Sequence, residues 1–472
     1  MKKLLFLLLF VVGSLCLNAQ ELKLKKGKII DNLIVKDSVS ETYTIYLPTS
    51  FDVAKKWPIL FVFNMKGKAK QSLRFFTQAA EKYGYVLASS NSVADSISIA
   101  KNVYVTDRMM NSVFEILPID KNRIYTAGFS DGGKFASIMA LLSKRVKGVI
   151  SFGAAMTNVE DLAVNKRFHF IGIISDEDHD LIEMRALKKE LNILKFPNQL
   201  YIYEEKNSTG AFDYLNKALE FFTLSGMSKG FIPKDTAFIS TNYDKNIVDI
   251  NTLMDSKKLV QAHNLITTVI DVYRVFKDVV NLKVKQKELR KDKAFRALRR
   301  NDTNVFFNES LLREEYDYAI YEDLNSYNFN NLGWWNYQMQ KLSEYSVSDN
   351  VAQSKMGIRL KGFVNYLVDS NLKELKVEKL KDKEGILLLW MLKTITAPKD
   401  YASYLEIISY STKNEDFGTA LFYLEELLKN GFTDKSILYN LENTALLRIT
   451  PEFNALLVKY LKVSRYDSEI RE

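Results

Sequence analysis

Arg123-Ile-Tyr-Thr-Ala-Gly-Phe-Ser-Asp-Gly-Gly-Lys-Phe-Ala-Ser-Ile-Met-Ala-Leu-Leu142 is the stretch whose reading decides the fold. Ile124 to Ala127 have strand character. Gly128-Phe-Ser-Asp-Gly132 is a G-x-S-x-G pentapeptide, and after Gly133 the side chains of Phe135, Ile138, Met139 and Leu142 fall on one helical face. A strand, a sharp turn with Ser130 at its apex and then a helix lift a serine hydroxyl clear of a sheet. The glycines have a physical reason. The turn holds the serine in a strained backbone conformation, and strand and helix approach too closely for side chains at 128 and 132. The helix N-terminus behind Ser130 favours negative charge on it or on a bound oxyanion.

Outward from this stretch, strand-like and helix-like segments alternate. Residues 43–48, 58–63, 85–89, 148–153, 168–174 and 199–203 read as strands, and 58–63 is a continuous apolar run suited to burial on both faces. Residues 72–82, 107–117, 184–194 and 214–223 read as helices. This predicts an α/β fold with a doubly wound, mostly parallel sheet. Glycine then marks a change: 12 glycines fall between Gln20 and Gly230, and one between Phe231 and Gly333. The second part is helical in pattern, so an all-α region follows.

The expected organisation is a signal peptide over 1–19, an α/β domain over 20–227, a linker over 228–250, a helical domain over 251–398 and a C-terminal module over 399–472. Lys2 and Lys3 before a short apolar run ending Leu17-Asn-Ala19 form the signal pattern, which implies a periplasmic or secreted protein. The single cysteine, Cys16, lies in that segment, so the mature chain carries no disulfide and no thiolate chemistry. The formal net charge of +9 over 472 residues is a mild bias and no argument for nucleic acid. No segment after the signal reads as a membrane span.

In the helical part, residues 281–300 are strongly basic and residues 309–323 strongly acidic. Successive helices of opposite charge are expected to pair in an antiparallel hairpin. Trp334 and Trp335 are expected in the core. Residues 401–410 and 419–432, the latter closed by Gly431, have the small-then-large packing of Ala420, Leu424 and Leu427 seen in tetratricopeptide repeats, which suggests a peptide or protein partner.

The segment Asp120 to Ala136 resembles the α/β-hydrolase superfamily, and within it the secreted esterases of the feruloyl-esterase and polyhydroxybutyrate-depolymerase type. The resemblance covers residues 43–222. It implies a Ser-acid-His triad in that chain order. Ser130 matches as nucleophile. Ser175-Asp-Glu-Asp178 matches the acid loop, with Asp178 as acid and Asp176 as fallback. The base does not match: the loop 206–213, where the histidine belongs, holds none. The oxyanion loop also departs, reading Asn64-Met-Lys-Gly67, so the donors are the amides of Asp131 and of Met65 or Lys66.

Only His169, His179 and His263 exist. His179 beside Asp178 is a candidate relocated base, His263 a more remote one, and Lys206 a third through a Ser-Lys pair. His169 reads as structural. Three scattered histidines and no mature cysteine offer no metal constellation, and no glycine-rich phosphate loop implies a cofactor. The expected function is an exported, serine-esterase-like acyl hydrolase with a degenerate triad and weak or no activity, taking a small ester-type ligand. The alternative is an active esterase or peptidase that uses His179.

Overall fold

The computed structural model describes residues 24–38, 40–157, 159–162, 167–206, 209–377 and 382–462. The expected signal segment, with Cys16, lies outside the described residues. The chain divides into two compact units: one runs up to Ile174 and adds Glu183–Asp249 and Thr268–Val279, and the other comprises Ser175–Ile182, Ile250–Thr267 and the chain from Val280 onward.

The first unit is built on an eight-stranded sheet: β1 (Ile29–Ile34), β2 (Thr42–Tyr46), β3 (Trp57–Phe63), β4 (Val86–Ser90), β5 (Ile119–Phe129), β6 (Val146–Phe152), β7 (His169–Ser175) and β8 (Asn198–Tyr203), in the order β1-β2-β4-β3-β5-β6-β7-β8. β2 runs antiparallel to β1 and β4, and β4, β3, β5, β6 and β7 are mutually parallel. Helices α1 (Ala69–Tyr83), α2 (Ile99–Ile116), α3 (Asp131–Leu142), α4 (Leu181–Ile193) and α5 (Gly210–Ser228) connect the strands. This is the doubly wound α/β-hydrolase-type sheet.

The apolar run in β3 is fully buried: Ile59, Leu60, Phe61 and Val62 expose nothing. Each such side chain contributes about 1.5–3 kcal/mol of burial, so β3 and β5 anchor the sheet where the serine turn must be held. α5 covers the sheet with Phe222 stacked on Tyr125 at 4.2 Å.

The stretch 228–250, read above as a linker, is helical from Thr236 onward, in α6 (Thr236–Asp255). The glycine and proline punctuation marks only the turn between α5 and α6, where Gly230 has φ +72°. α6 and α7 (Leu259–Tyr273) are tied to α5 through Glu220, which accepts from Tyr273 Oη (2.8 Å) and Asn246 Nδ2 (3.1 Å). Lys217 adds bonds to Asn246 Oδ1 (2.9 Å) and Asp249 Oδ2 (2.7 Å). Burial holds the Glu220 carboxyl above its ordinary range.

The second unit is helical: α8 (Val280–Lys291), α9 (Lys293–Ser326), α10 (Leu332–Ser346), α11 (Val351–Val377), α12 (Lys383–Thr396), α13 (Tyr401–Lys413), α14 (Phe417–Lys429), then α15 (Lys435–Asn440), α16 (Ala445–Arg448) and α17 (Pro451–Leu461). Trp335 is buried and donates to Asp323 Oδ2 at 2.7 Å. α13 and α14 pack together through Tyr404, Ile407, Ala420, Leu424 and Leu427.

The expected hairpin of a basic helix against an acidic one does not form. Asp292 caps α9 by accepting from Phe295 N (2.8 Å), so the basic stretch is split between α8 and the first turns of α9. The acidic stretch lies farther along the same 34-residue helix. At 1.5 Å per residue, Arg300 and Glu309 are about 14 Å apart along one axis. The polar run Asn301-Asp-Thr-Asn304 does not break the helix, because Val305 and Glu309 are buried on its inner face.

Candidate active site

Ser130 has φ +50° and ψ −121°, a conformation that a residue with a Cβ adopts only when its surroundings force it. Three features force it here. Phe63, the last residue of β3, lies in register with Gly128 of β5. A Cβ on Gly132 would come within 3.0 Å of the Phe63 carbonyl oxygen, and one on Gly128 within 3.0 Å of the Gly132 backbone. The Ser130 N–H donates to the Phe152 carbonyl at 2.8 Å, and its own carbonyl accepts from Gly133 N (2.8 Å) and Lys134 N (3.1 Å). The serine is exposed, and its hydroxyl makes no capping bond to α3.

Asp131 opens α3, so its N–H is one of the amides with no partner inside the helix. On the facing loop, the Lys66 N–H is spent on Asn64 Oδ1 (2.8 Å) and the Gly67 N–H on the Asn64 carbonyl (3.2 Å). The Met65 carbonyl accepts from Asp95 N at 2.8 Å, which pins the loop while its amide stays unspent. Of the two donors considered from sequence, Met65 is therefore the one with its amide available.

A cluster of rings surrounds the turn, which sequence reading missed. Phe129 stacks on Phe152 (4.6 Å) and meets Phe75 (5.2 Å) and Phe76 (5.8 Å) edge-on. Phe75 also meets Phe212 at 6.2 Å. Phe212 comes from the start of α5, within the stretch 206–213 where the resemblance places the histidine. The described part of that stretch offers Lys206 and Asp213, the latter accepting from Thr209 Oγ1 at 2.9 Å.

His169 starts β7, at the sheet edge opposite the serine turn, paired with Gly148. It is bonded to Gln199 and lies 4.0 Å from the Phe221 ring. Burial lowers its pKa to about 3, so it is a neutral structural imidazole.

Asp176, Asp178 and His179 fall in Ser175–Ile182, which groups with the second unit. Asp176 pairs with Lys355, and its carbonyl accepts from Arg359 Nη1 at 2.7 Å. Arg359 is itself held by Glu309 through Nε (2.9 Å) and Nη2 (2.5 Å), both residues being buried. Arg313 Nη1 donates to the His179 carbonyl at 2.7 Å. Asp176 is thus occupied as an ion-pair partner. Asp178 Oδ1 accepts from Asp180 N (2.9 Å) and stands 3.5 Å from His179 Nδ1. The imidazole leans on Tyr366 at 5.0 Å, and its buried Nε2, which makes no hydrogen bond, stands 3.6 Å from Asp180 Oδ1. His263 accepts from Arg290 Nε at its Nε2 (3.1 Å) and lies against Phe295.

Among the described residues no group of three or more His, Cys, Asp or Glu is placed to hold a metal ion. The chemistry this geometry can serve is attack on a carbonyl by a turn-borne serine, with backbone amides facing the oxyanion.

No protein-family model matches the chain, and no curated protein matches it significantly. Solved structures overlap less than half of it. A ferulic acid esterase matches with 14% identity over 42% of this chain and 97% of its own, at a TM-score of 0.34. Esterase 2 of Thermogutta terrifontis matches with 15% identity over 45% of this chain and 98% of its own, at 0.35. A Bacteroides ovatus protein assigned as a dipeptidyl aminopeptidase IV matches with 16% identity over 42% of this chain, at 0.34, and the match spans only 35% of its length. The fold assignment rests on the strand order and the serine turn, which stand without these overlaps.

Proposed function

We propose that this protein is an exported, serine-esterase-like acyl hydrolase that binds a small ester and turns it over weakly, because its site is crippled at the base. Ser130 is the nucleophile, Asp178 the acid, and the amides of Asp131 and Met65 receive the carbonyl oxygen. Phe75, Phe129, Phe152 and Phe212 give the acyl group an apolar flank. The observation that carries this reading is the strained Ser130, held by Gly128 and Gly132, in a unit whose one described histidine is spent at the far edge of the sheet. Strain of this kind costs about 1–3 kcal/mol and persists where it serves a site. Without a base the hydroxyl is a poor nucleophile at neutral pH. In another serine hydrolase, loss of a triad member leaves roughly 10³–10⁴-fold acceleration over water. The α13–α14 hairpin is proposed as the tetratricopeptide-like seat of a peptide or protein partner.

A fluorophosphonate probe tests this reading. Slow labelling at Ser130, abolished by Ser130→Ala, is expected; no labelling above the Ser130→Ala background would refute it.

A second reading has its own observation. Asp178 stands 3.5 Å from His179 Nδ1, the carboxylate–imidazole pairing that a base requires, while Nε2 faces Asp180 Oδ1 at 3.6 Å. It requires fast labelling of the native protein and its loss in His179→Ala.

A further inference from the structure

The basic stretch left without its expected acidic partner is a charge feature that the serine site does not use. Residues 283–300 carry nine cationic side chains against Glu288 and Asp292. Three of the nine bond neutral groups: Lys285 to Asn251 Oδ1 (2.9 Å), Arg290 to His263 Nε2 (3.1 Å) and Arg296 to the Lys291 carbonyl (2.9 Å). Among the described residues no carboxylate pairs with Lys283, Lys287, Lys291, Lys293 or Arg300. Two of the acidic residues farther along α9 are engaged elsewhere, Glu309 by Arg359 and Asp323 by Trp335 and Asn331.

The two helices present this charge in one way. Leu282 and Leu289 are the buried residues of α8. At 100° per residue, Val280, Val284, Lys287 and Lys291 stand opposite them. On α9 the buried Phe295, Val305 and Glu309 fix the inner face, and Lys293, Arg296, Arg300 and Phe307 stand opposite. Cations and apolar side chains therefore share the solvent faces, with Val280 56%, Val284 51% and Phe307 62% exposed. Asp292 already caps the N-terminus of α9, so what this end offers an anion is the side-chain charge of Lys293 and Arg296 in its first turn. An anion placed against this surface meets the side-chain charge of both helices.

We propose that the outer faces of α8 and the start of α9 form a docking surface for an anionic lipid bilayer. Charge complementarity selects the anion. The aliphatic and aromatic side chains among the cations select a bilayer interface over a soluble polyanion, since they gain only where acyl chains receive them. The attachment is peripheral: among the described residues no helix is long and apolar enough to cross a membrane.

The test is cosedimentation of the full chain with vesicles of phosphatidylcholine alone and of phosphatidylcholine mixed with phosphatidylglycerol. Binding to the mixed vesicles only, lost at high salt, is expected. The variant Lys287→Glu/Lys291→Glu/Arg296→Glu/Arg300→Glu should lower partitioning by roughly two to three orders of magnitude, since each cation contributes about fivefold. Val284→Ser/Phe307→Ser should weaken vesicle binding while leaving retention on a heparin column unchanged. If the charge variant does not fold, the salt dependence and the serine variant decide. Equal binding to both vesicle types, no binding to either, or a serine variant that partitions like the native chain would overturn the proposal.

Discussion

Gly132 and the carbonyl of Phe63 are in such close approach that no side chain fits between them. This contact sets how near α3 comes to β3, and so where Ser130 stands. The obstacle is backbone, which cannot rotate away. Gly132→Ala is therefore expected to destabilise the fold by at least the 1–3 kcal/mol typical of overpacking. Gly333, in the first turn of α10, has open space around it, and Gly333→Ala should be neutral or slightly stabilising. Urea-unfolding midpoints of the two variants check both outcomes.

Arg359 and Glu309 form a buried ion pair that also holds the Asp176 carbonyl. Removing one partner leaves a buried charge without its counter-ion. Glu309→Ala and Arg359→Ala should each cost roughly 3–5 kcal/mol, whereas Glu309→Leu/Arg359→Met should recover most of that loss. Denaturant unfolding of the three variants provides the comparison. A double variant as unstable as the singles would show that the bond to Asp176 dominates.

His169 and Glu220 give the stability opposite dependences on pH. Burial depresses the His169 pKa to about 3, against an ordinary value of 6.5. Below 6.5 the unfolded chain takes up a proton that the folded chain refuses, so this contribution is full above pH 6.5 and is lost as pH falls towards 3. Glu220 is raised from 4.5, mainly by burial. Its contribution is full below pH 4.5 and is lost as pH rises through the elevated folded pKa. Melting temperature against pH should thus lose part of its acid limb in His169→Gln, and Glu220→Gln should gain stability at neutral pH relative to its value at pH 4.

The serine turn was legible because its determinants are local: two glycines, a strand before and a helix after. That residues 206–213 hold no histidine was legible directly from the sequence, and the proposal of a missing base adds only the chain order of a triad. The ring cluster was not, since Phe75, Phe129, Phe152 and Phe212 come from four different elements and meet only in the folded sheet. The charged helices were misread because local pattern cannot say whether Asn301 to Asn304 ends a helix. Burial of Val305 and Glu309 decides it. The grouping of Asp178 and His179 with the helical unit depends on Arg313, Lys355 and Arg359, more than 130 residues away.

The central claim is that the site lacks an effective base, and hydrolysis of p-nitrophenyl acetate by four proteins tests it most directly. The native chain should show low turnover, lost in Ser130→Ala and unchanged in His179→Ala. Asn207→His should raise it, by placing an imidazole in the loop where the chain order calls for one. Robust native turnover that disappears in His179→Ala would contradict this account and make the protein an esterase with its base moved beside the acid.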